Sequence, residues 1–156
     1  MPKKIAITIA GAVSLGSYEA GVLFEITRSI QHHNENEPIT KNRIVIDVTN
    51  QSPELIIAEE TLTSSEVVSK ALPGARVIKA FSSLYAQFID GEVNGGKRVL
   101  FYCGDDLEAK SIVKGLLDQM GFYPVDLGSL AIGGKMMQYV GGPLSGENFT
   151  QIKEVI

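Results

Sequence analysis

The sequence predicts an α/β fold in which five strands form a doubly wound, mainly parallel sheet. Two observations favour this class. Short apolar runs rich in Ile and Val recur along the chain, as expected of strands that are covered on both faces. Stretches with apolar residues at helical spacing separate most of these runs. Strands that alternate with helices indicate parallel pairs joined by right-handed crossovers.

The front of the chain predicts one complete strand-turn-helix unit and then a break. A strand is expected over 4–10, and apolar residues at spacings of three and four predict a helix over about 15–30. The polar stretch 32–38 interrupts the pattern, and a second strand follows over 44–48. Thr63 and Glu66 form a capping box for the next helix, which Pro73-Gly74 ends.

The rest of the chain continues the alternation. A third strand is predicted over 76–81, a helix is expected to begin over 83–89, and a turn region covers 91–96. The fourth strand spans 98–103. Asp105 and Glu108 are expected to form a second capping box for a helix that ends at Gly121, and 122–127 is the fifth strand. The remainder, with Gly133-Gly134 and Gly141-Gly142-Pro143, is interpreted as a glycine-rich tail.

Composition limits the class of protein. The 156 residues suffice for one domain, 1–156, with a substantial core. A net charge of −4 without a Lys/Arg stripe argues against a nucleic-acid partner. Cys103 is the single cysteine, so no intrachain disulfide forms, which suits a reducing, cytoplasmic compartment. No run reaches the ~18 apolar residues of a membrane span, and no His/Cys spacing predicts a metal site.

The turn after the first strand is the first candidate cofactor site. It matches the G-x-G-x-x-G pattern at its first and third glycines, while Val13 puts a Cβ where the backbone would approach a pyrophosphate. Amides at a helix N-terminus still favour an anion, and a purely structural tight turn is the alternative. The candidate residues are Gly11, Ala12, Val13, Ser14, Leu15 and Gly16.

The strand-helix unit that should follow in a dinucleotide-binding fold is missing. The residue that reads the adenosine ribose normally lies after the second strand of such a fold. In the stretch 31–43 the candidates for this role are Glu35, Glu37, Lys41 and Arg43. The choice between NAD and NADP therefore stays open.

From about residue 45 onward the chain resembles the coenzyme F420-dependent NADP reductase family, whose cofactor domain is shared with the STEAP-type metalloreductases. The resemblance rests on four segments in matching order: 45–50 (VIDVTN), 72–81 (LPGARVIKAF), 99–106 (VLFYCGDD) and 121–128 (GFYPVDLG). It implies a Rossmann-like oxidoreductase that moves a hydride between NAD or NADP and an acceptor such as F420 or a flavin. Bound cofactors would carry that chemistry.

The same resemblance places the nicotinamide at the ends of two strands, since crevice ligands lie at the carboxyl ends of parallel strands. The family shows Pro where this chain has Gln51, and Asn where it has Ser82. Lys79 would meet a cofactor phosphate or carboxylate, or it is a lysine at the sheet edge whose ammonium reaches water. The implied residues are Thr49, Asn50, Lys79, Ala80, Phe81 and Ser82. No catalytic residue is assigned.

Residues 4–23 resemble the opening strand, glycine-rich turn and helix of patatin-like phospholipases. That family continues into a G-x-S-x-G nucleophile elbow, which occurs nowhere in this chain. Both families have an Ile-Asp strand, so the chain is hypothesised to be a fusion with its junction near 44–49. A patatin-like remnant without a nucleophile is accordingly one alternative to the reductase-like function.

Three further expectations complete the sequence-based prediction. Either the chain is an NAD(P)-linked oxidoreductase domain, active or inactive, or it is a non-catalytic α/β scaffold. A sheet that lacks one covering unit favours a homodimer. Cys103 is expected to pack in the interior, where the neighbouring Asp105 and Asp106 would raise its pKa.

Overall fold

The computed structural model describes residues 6–8, 43–50, 62–85, 88–89, 92–93, 95–138 and 141–152. These residues contain three helices and seven strands. The strands are β1 (Ala6–Thr8), β2 (Ile44–Asp47), β3 (Arg76–Ala80), β4 (Glu92–Val93), β5 (Gly96–Gly104), β6 (Tyr123–Asp126) and β7 (Thr150–Ile152). The helices are α1 (Ser64–Ala71), α2 (Leu107–Gln119) and α3 (Leu130–Met137).

The strands pair in the order β1-β2-β3-β5-β4, and β6 and β7 also pair with β5. The pairs β1/β2, β2/β3 and β5/β6 are parallel. This arrangement confirms the predicted α/β class, with a mostly parallel sheet built from the five predicted strands. The short strands β4 and β7, which pair antiparallel with the start of β5, were not predicted.

β3 and β5 are antiparallel, so no helical crossover is needed between them. Parallel strands need a long crossover, whereas antiparallel strands do not. Among the described residues, 82–84 form a turn, and the amide of Phe88 donates to Tyr85 O in a single further turn. The expectation that a helix begins over 83–89 is therefore wrong for the part of that stretch that the structure describes.

Helices cover both faces of the sheet. On one face, α2 packs on the even-numbered residues of β2, β3 and β5. Phe122, just before β6, belongs to the same hydrophobic cluster. On the other face, Leu130 and Met137 of α3 pack against Val77 and Cys103, with Val68 of α1 beside them. Because side chains alternate along a strand, Asp47 and Lys79 fall on the α1/α3 face.

Of the two capping boxes predicted at helix starts, one is confirmed and the other is not. Thr63 and Glu66 form the predicted capping box of α1. The second predicted box is wrong, because Asp106 rather than Asp105 caps α2 and accepts from the amide of Ala109 at 2.7 Å. Asp105 instead accepts from the amide of Leu130 at 3.0 Å, so its carboxylate holds the first turn of α3.

α3 was not predicted, and the interpretation of Gly133-Gly134 as part of a tail is wrong. A Cβ on Gly133 would lie 2.4 Å from Cys103 Cβ, and a Cβ on Gly134 would lie 3.1 Å from Thr63 Oγ1. The two glycines thus let α3 approach β5 and the start of α1. Gly141 and Gly146, both with positive φ, lie in the turns that follow.

The described part of the first predicted strand is β1, which covers 6–8. The predicted first helix, the turn at 11–16 and the candidate residues from Glu35 to Lys41 lie outside the described residues. No helix in the described ranges has the length and apolar character needed to cross a membrane.

Candidate functional site

The carboxyl ends of β2 and β3 meet at one edge of the sheet. These strands are parallel neighbours, with Ile46 opposite Ile78 and Asp47 opposite Lys79. The chain continues from β2 into Thr49 and Asn50, and from β3 into 81–82. The amide group of Asn50 donates through Nδ2 to Ser82 O at 3.0 Å, across 32 positions of sequence. The structure thus brings together the two groups of residues that the family resemblance implied.

Phe81 changes the chain direction at the end of β3. Its φ is +66°, a left-handed conformation that few residues other than glycine adopt. Its ring packs edge-on against Phe122, with 6.0 Å between the ring centroids. Backbone conformations of this kind cost about 1–3 kcal/mol and occur often at ligand sites. Packing of the ring in the core holds Phe81 in place and directs 82–84 away from the strand.

The Asn50–Ser82 contact fixes which way the Asn50 amide points. Ser82 O only accepts, so the nitrogen of the side-chain amide faces it, and Oδ1 is left as an acceptor on an exposed residue. The hydroxyls of Ser82 and Ser83 are buried and have no hydrogen-bond partner among the described residues. Buried hydroxyls are normally paired, so such groups call for a ligand or water.

A buried ion pair contacts Thr49, the residue before Asn50. The side chains of Lys79 and Asp47 are 0% and 1% exposed, with 3.4 Å between Nζ and Oδ2. Lys79 lies on an internal strand, so the alternative of an edge lysine that reaches water is wrong. Its ammonium faces Asp47 and Thr49 O within the protein, and its role toward a cofactor stays a prediction.

The Asp47 carboxylate remains ionised in spite of its burial. Burial by itself raises the pKa of Asp47, but the Lys79 charge and hydrogen bonds from Ser65 and Thr49 outweigh it. The pKa of Asp47 therefore lies below its ordinary value of 3.8. Ser65, in the first turn of α1, was not predicted to belong to this cluster. Its contact depends on how α1 packs on the sheet, which the local sequence does not indicate.

Cys103 is opposite Lys79 in the antiparallel pairing of β3 and β5 and is fully buried. Interior packing was the predicted role, and the burial confirms it. The pKa of the Cys103 thiol is raised to about 12, mainly by burial and further by Asp105, Asp126 and Asp47, while Lys79 acts in the opposite direction. With its pKa raised in this way, the Cys103 thiol is protonated near neutral pH, which makes it a poor nucleophile.

The structure describes one of the two predicted sets of site residues. Thr49, Asn50, Lys79 and 80–82 lie together at the ends of β2 and β3. The glycine-rich turn at 11–16 lies outside the described residues. Ser83 was missed by the sequence, which offers no pattern that would distinguish its buried hydroxyl. Within the described ranges, no group of three or more His, Cys, Asp or Glu side chains is placed to hold a metal ion.

Comparisons with known proteins agree with this fold. No protein-family model matches the chain. The metalloreductase STEAP3 of Rattus norvegicus is 34% identical over 89 residues, which are 57% of this chain. A solved hypothetical protein from Sinorhizobium meliloti is 34% identical, with a TM-score of 0.66 over 80% of this chain. A provisionally assigned F420-dependent NADP reductase from Arthrobacter sp. FB24 is 26% identical over 58% of this chain and 45% of its own, with a TM-score of 0.49.

The matches cover only part of each relative. The aligned region is 18% of the STEAP3 chain and 63% of the Sinorhizobium chain. They lend no support to a patatin-like start or to a fusion. The match to STEAP3 supports the reductase-type resemblance that the segments from residue 45 onward carry, and the Sinorhizobium protein supports the fold.

Proposed function

We propose that the chain is an NAD(P)-dependent oxidoreductase domain, in which a hydride passes between a nicotinamide and a flavin-like acceptor such as F420. The observation that carries this proposal is the junction of Asn50 with Ser82 O at the carboxyl ends of β2 and β3. Ligands of parallel α/β sheets bind at this edge. The similarity to a protein named as a metalloreductase supports the redox class.

The polar groups at this junction match a nicotinamide carboxamide. That group offers N–H donors and a carbonyl acceptor. Asn50 Oδ1 can accept a hydrogen bond from the carboxamide, and the buried Ser82 hydroxyl, which lacks a partner among the described residues, can donate one to it. The bound nicotinamide supplies the hydride chemistry, and these residues orient its ring. NADP is the proposed cofactor and NAD the alternative, while the predicted homodimer and cytoplasmic location stay predictions.

The test is a titration of the purified protein with NADPH and NADH, followed by nicotinamide fluorescence. Saturable micromolar binding is expected. Asn50→Ala removes the acceptor and the bridge to Ser82, and the loss of one or two hydrogen bonds of ~1 kcal/mol each weakens binding about fivefold to thirtyfold. Gln119→Ala, at an exposed position near the end of α2, is the matched control and should bind as the wild type does.

Gly16→Glu tests the other end of the predicted cofactor site. A carboxylate in the glycine-rich turn would repel the pyrophosphate, so binding should be abolished. Binding that survives Gly16→Glu but is lost in Asn50→Ala would restrict the site to the ends of β2 and β3. If the folded wild type binds neither nucleotide at millimolar concentration, the proposed function is wrong and a non-catalytic α/β scaffold is the better interpretation.

A further inference from the structure

The buried pair of Asp47 and Lys79 belongs to a row of side chains that crosses the sheet. Strand pairing places Asp47 opposite Lys79, and Lys79 opposite Cys103. The row lies on the face covered by α1 and α3, and Lys79 is the largest fully buried side chain that the structure describes on that face. Charges are seldom placed so deep, because removing an ion from water costs several kcal/mol.

The contacts of the pair converge on a single residue, Thr49. Asp47 Oδ1 accepts from Thr49 N at 3.0 Å and from Thr49 Oγ1 at 2.7 Å. Lys79 Nζ donates to Thr49 O at 2.9 Å, which is shorter than its 3.4 Å separation from Asp47 Oδ2. Every hydrogen-bonding group of Thr49 is therefore held by one of the two charges.

The carboxylate is itself anchored from a second element. Ser65 Oγ, in the first turn of α1, donates to Asp47 Oδ2 at 2.6 Å. The two oxygens of Asp47 thus have different partners: Oδ2 contacts Ser65 and Lys79, and Oδ1 contacts Thr49. This fixes the orientation of the carboxylate plane relative to the end of β2.

Stability alone does not account for this arrangement. Replacing a buried ion pair by apolar residues of similar volume is often neutral or stabilising. What the pair provides is a fixed backbone between Asp47 and Asn50, with both peptide groups of Thr49 immobilised. Asn50 follows directly, and its side chain then reaches Ser82 O.

We propose that Asp47 and Lys79 are positioning residues, which lock Thr49 so that Asn50 presents its side-chain acceptor to the ligand at the ends of β2 and β3. The inference deepens the proposed function and rests on it for the identity of the ligand. The two residues act through Thr49 and Asn50 and touch no ligand themselves. Groups that bind a ligand must be held within a fraction of an ångström of the binding geometry. If the end of β2 moves more freely, the affinity for the ligand falls.

The experiment uses the double variant Asp47→Val/Lys79→Met, which removes both charges and the acceptor of the Thr49 N–H and hydroxyl. A single substitution would leave one charge buried and unpaired. We expect the double variant to fold with little change in melting temperature. NADPH should bind on the order of tenfold more weakly, because the strand end is no longer held in the binding geometry. Hydrogen exchange at the Thr49 amide should become faster, whereas exchange at the Val99 amide should be unchanged.

The control is the double variant Lys110→Met/Asp126→Val. This ion pair joins α2 to β6, with 3.0 Å between Lys110 Nζ and Asp126 Oδ2, and neither side chain bonds to residues 49–50 or 81–82 within the described part of the chain. Its loss should leave NADPH affinity and exchange at Thr49 unchanged. A positioning role for Asp47 and Lys79 predicts this contrast, and a general effect of ion-pair loss does not.

The outcomes separate this inference from the function it rests on. If the wild type binds no NADPH, the proposed function fails, and exchange at Thr49 alone decides whether the pair holds the strand end. Unchanged exchange at Thr49 in a folded double variant overturns the positioning role. If the double variant does not fold, Thr49→Val removes the hydroxyl bond to Asp47 at a half-buried position. Faster hydrogen exchange at the amide of residue 49 in Thr49→Val supports the inference, and unchanged exchange overturns it.

Discussion

Substituting Gly133 by Ala tests how closely α3 packs on the sheet. The added Cβ would lie 2.4 Å from Cys103 Cβ, 2.8 Å from Leu127 Cβ and 2.9 Å from Cys103 Sγ. Two of these neighbours are Cβ atoms, which cannot rotate away. Ordinary contact begins at about 3.4 Å, so α3 must move by roughly an ångström relative to β5 or the sheet must deform.

The expected magnitude follows from two opposing effects. Overpacking a well-packed core costs about 1–3 kcal/mol, and the geometry at Gly133 favours the upper part of that range. Alanine regains ~1 kcal/mol of helix propensity over glycine. The net loss is therefore about 2 kcal/mol in the free energy of unfolding. For a chain of this length, that lowers the melting temperature by about 4–8 °C.

Gly115→Ala in α2 is the matched control. A Cβ at Gly115 meets nothing within 4 Å, so only the helix propensity changes, and stability should rise by up to ~1 kcal/mol. Urea unfolding followed by circular dichroism measures both variants against the wild type, and an unchanged m-value shows that the unfolded states are comparable. If Gly133→Ala were as stable as Gly115→Ala, the close packing of α3 on Cys103 would be refuted.

Two further predictions concern the core and the helix caps. Cys103 should not react with Ellman's reagent until the protein is unfolded, and stability should fall as the pH rises from its ordinary pKa of 9.0 toward about 12. The unfolded thiol ionises first, so the slope reaches about 1.4 kcal/mol per pH unit, and an equal slope in Cys103→Ala would contradict this. Thr63→Ala should cost about 1 kcal/mol for the cap and more for the buried Leu130 carbonyl, to which Thr63 Oγ1 donates at 3.2 Å. Ser129→Ala, which removes only an exposed cap, should cost less in urea unfolding, and an equal loss would show that the bond to Leu130 contributes nothing.

Features that depend on neighbours along the chain could be predicted from the sequence. The apolar runs identified the strands, because side-chain alternation and burial on both faces require them. The Thr63 and Glu66 pair located the start of α1, since a capping box closes within one turn. The sequence resemblance to the reductase family also predicted that Thr49, Asn50 and 80–82 lie in one site. That expectation depended only on β2 and β3 being parallel neighbours, because their carboxyl ends then lie at the same edge of the sheet.

Tertiary pairing decided the features that join distant parts of the chain. The sequence did not indicate that β5 runs antiparallel to β3, because periodicity is the same for either direction. The register that sets Asp47 against Lys79 explains why that lysine is buried, and no local pattern encodes a register between strands so far apart. In the same way, the sequence indicated that Gly133 was part of a glycine-rich tail. Only the approach of α3 to Cys103 shows that a side chain has no room there, since the volume available at a position is set by the elements packed around it.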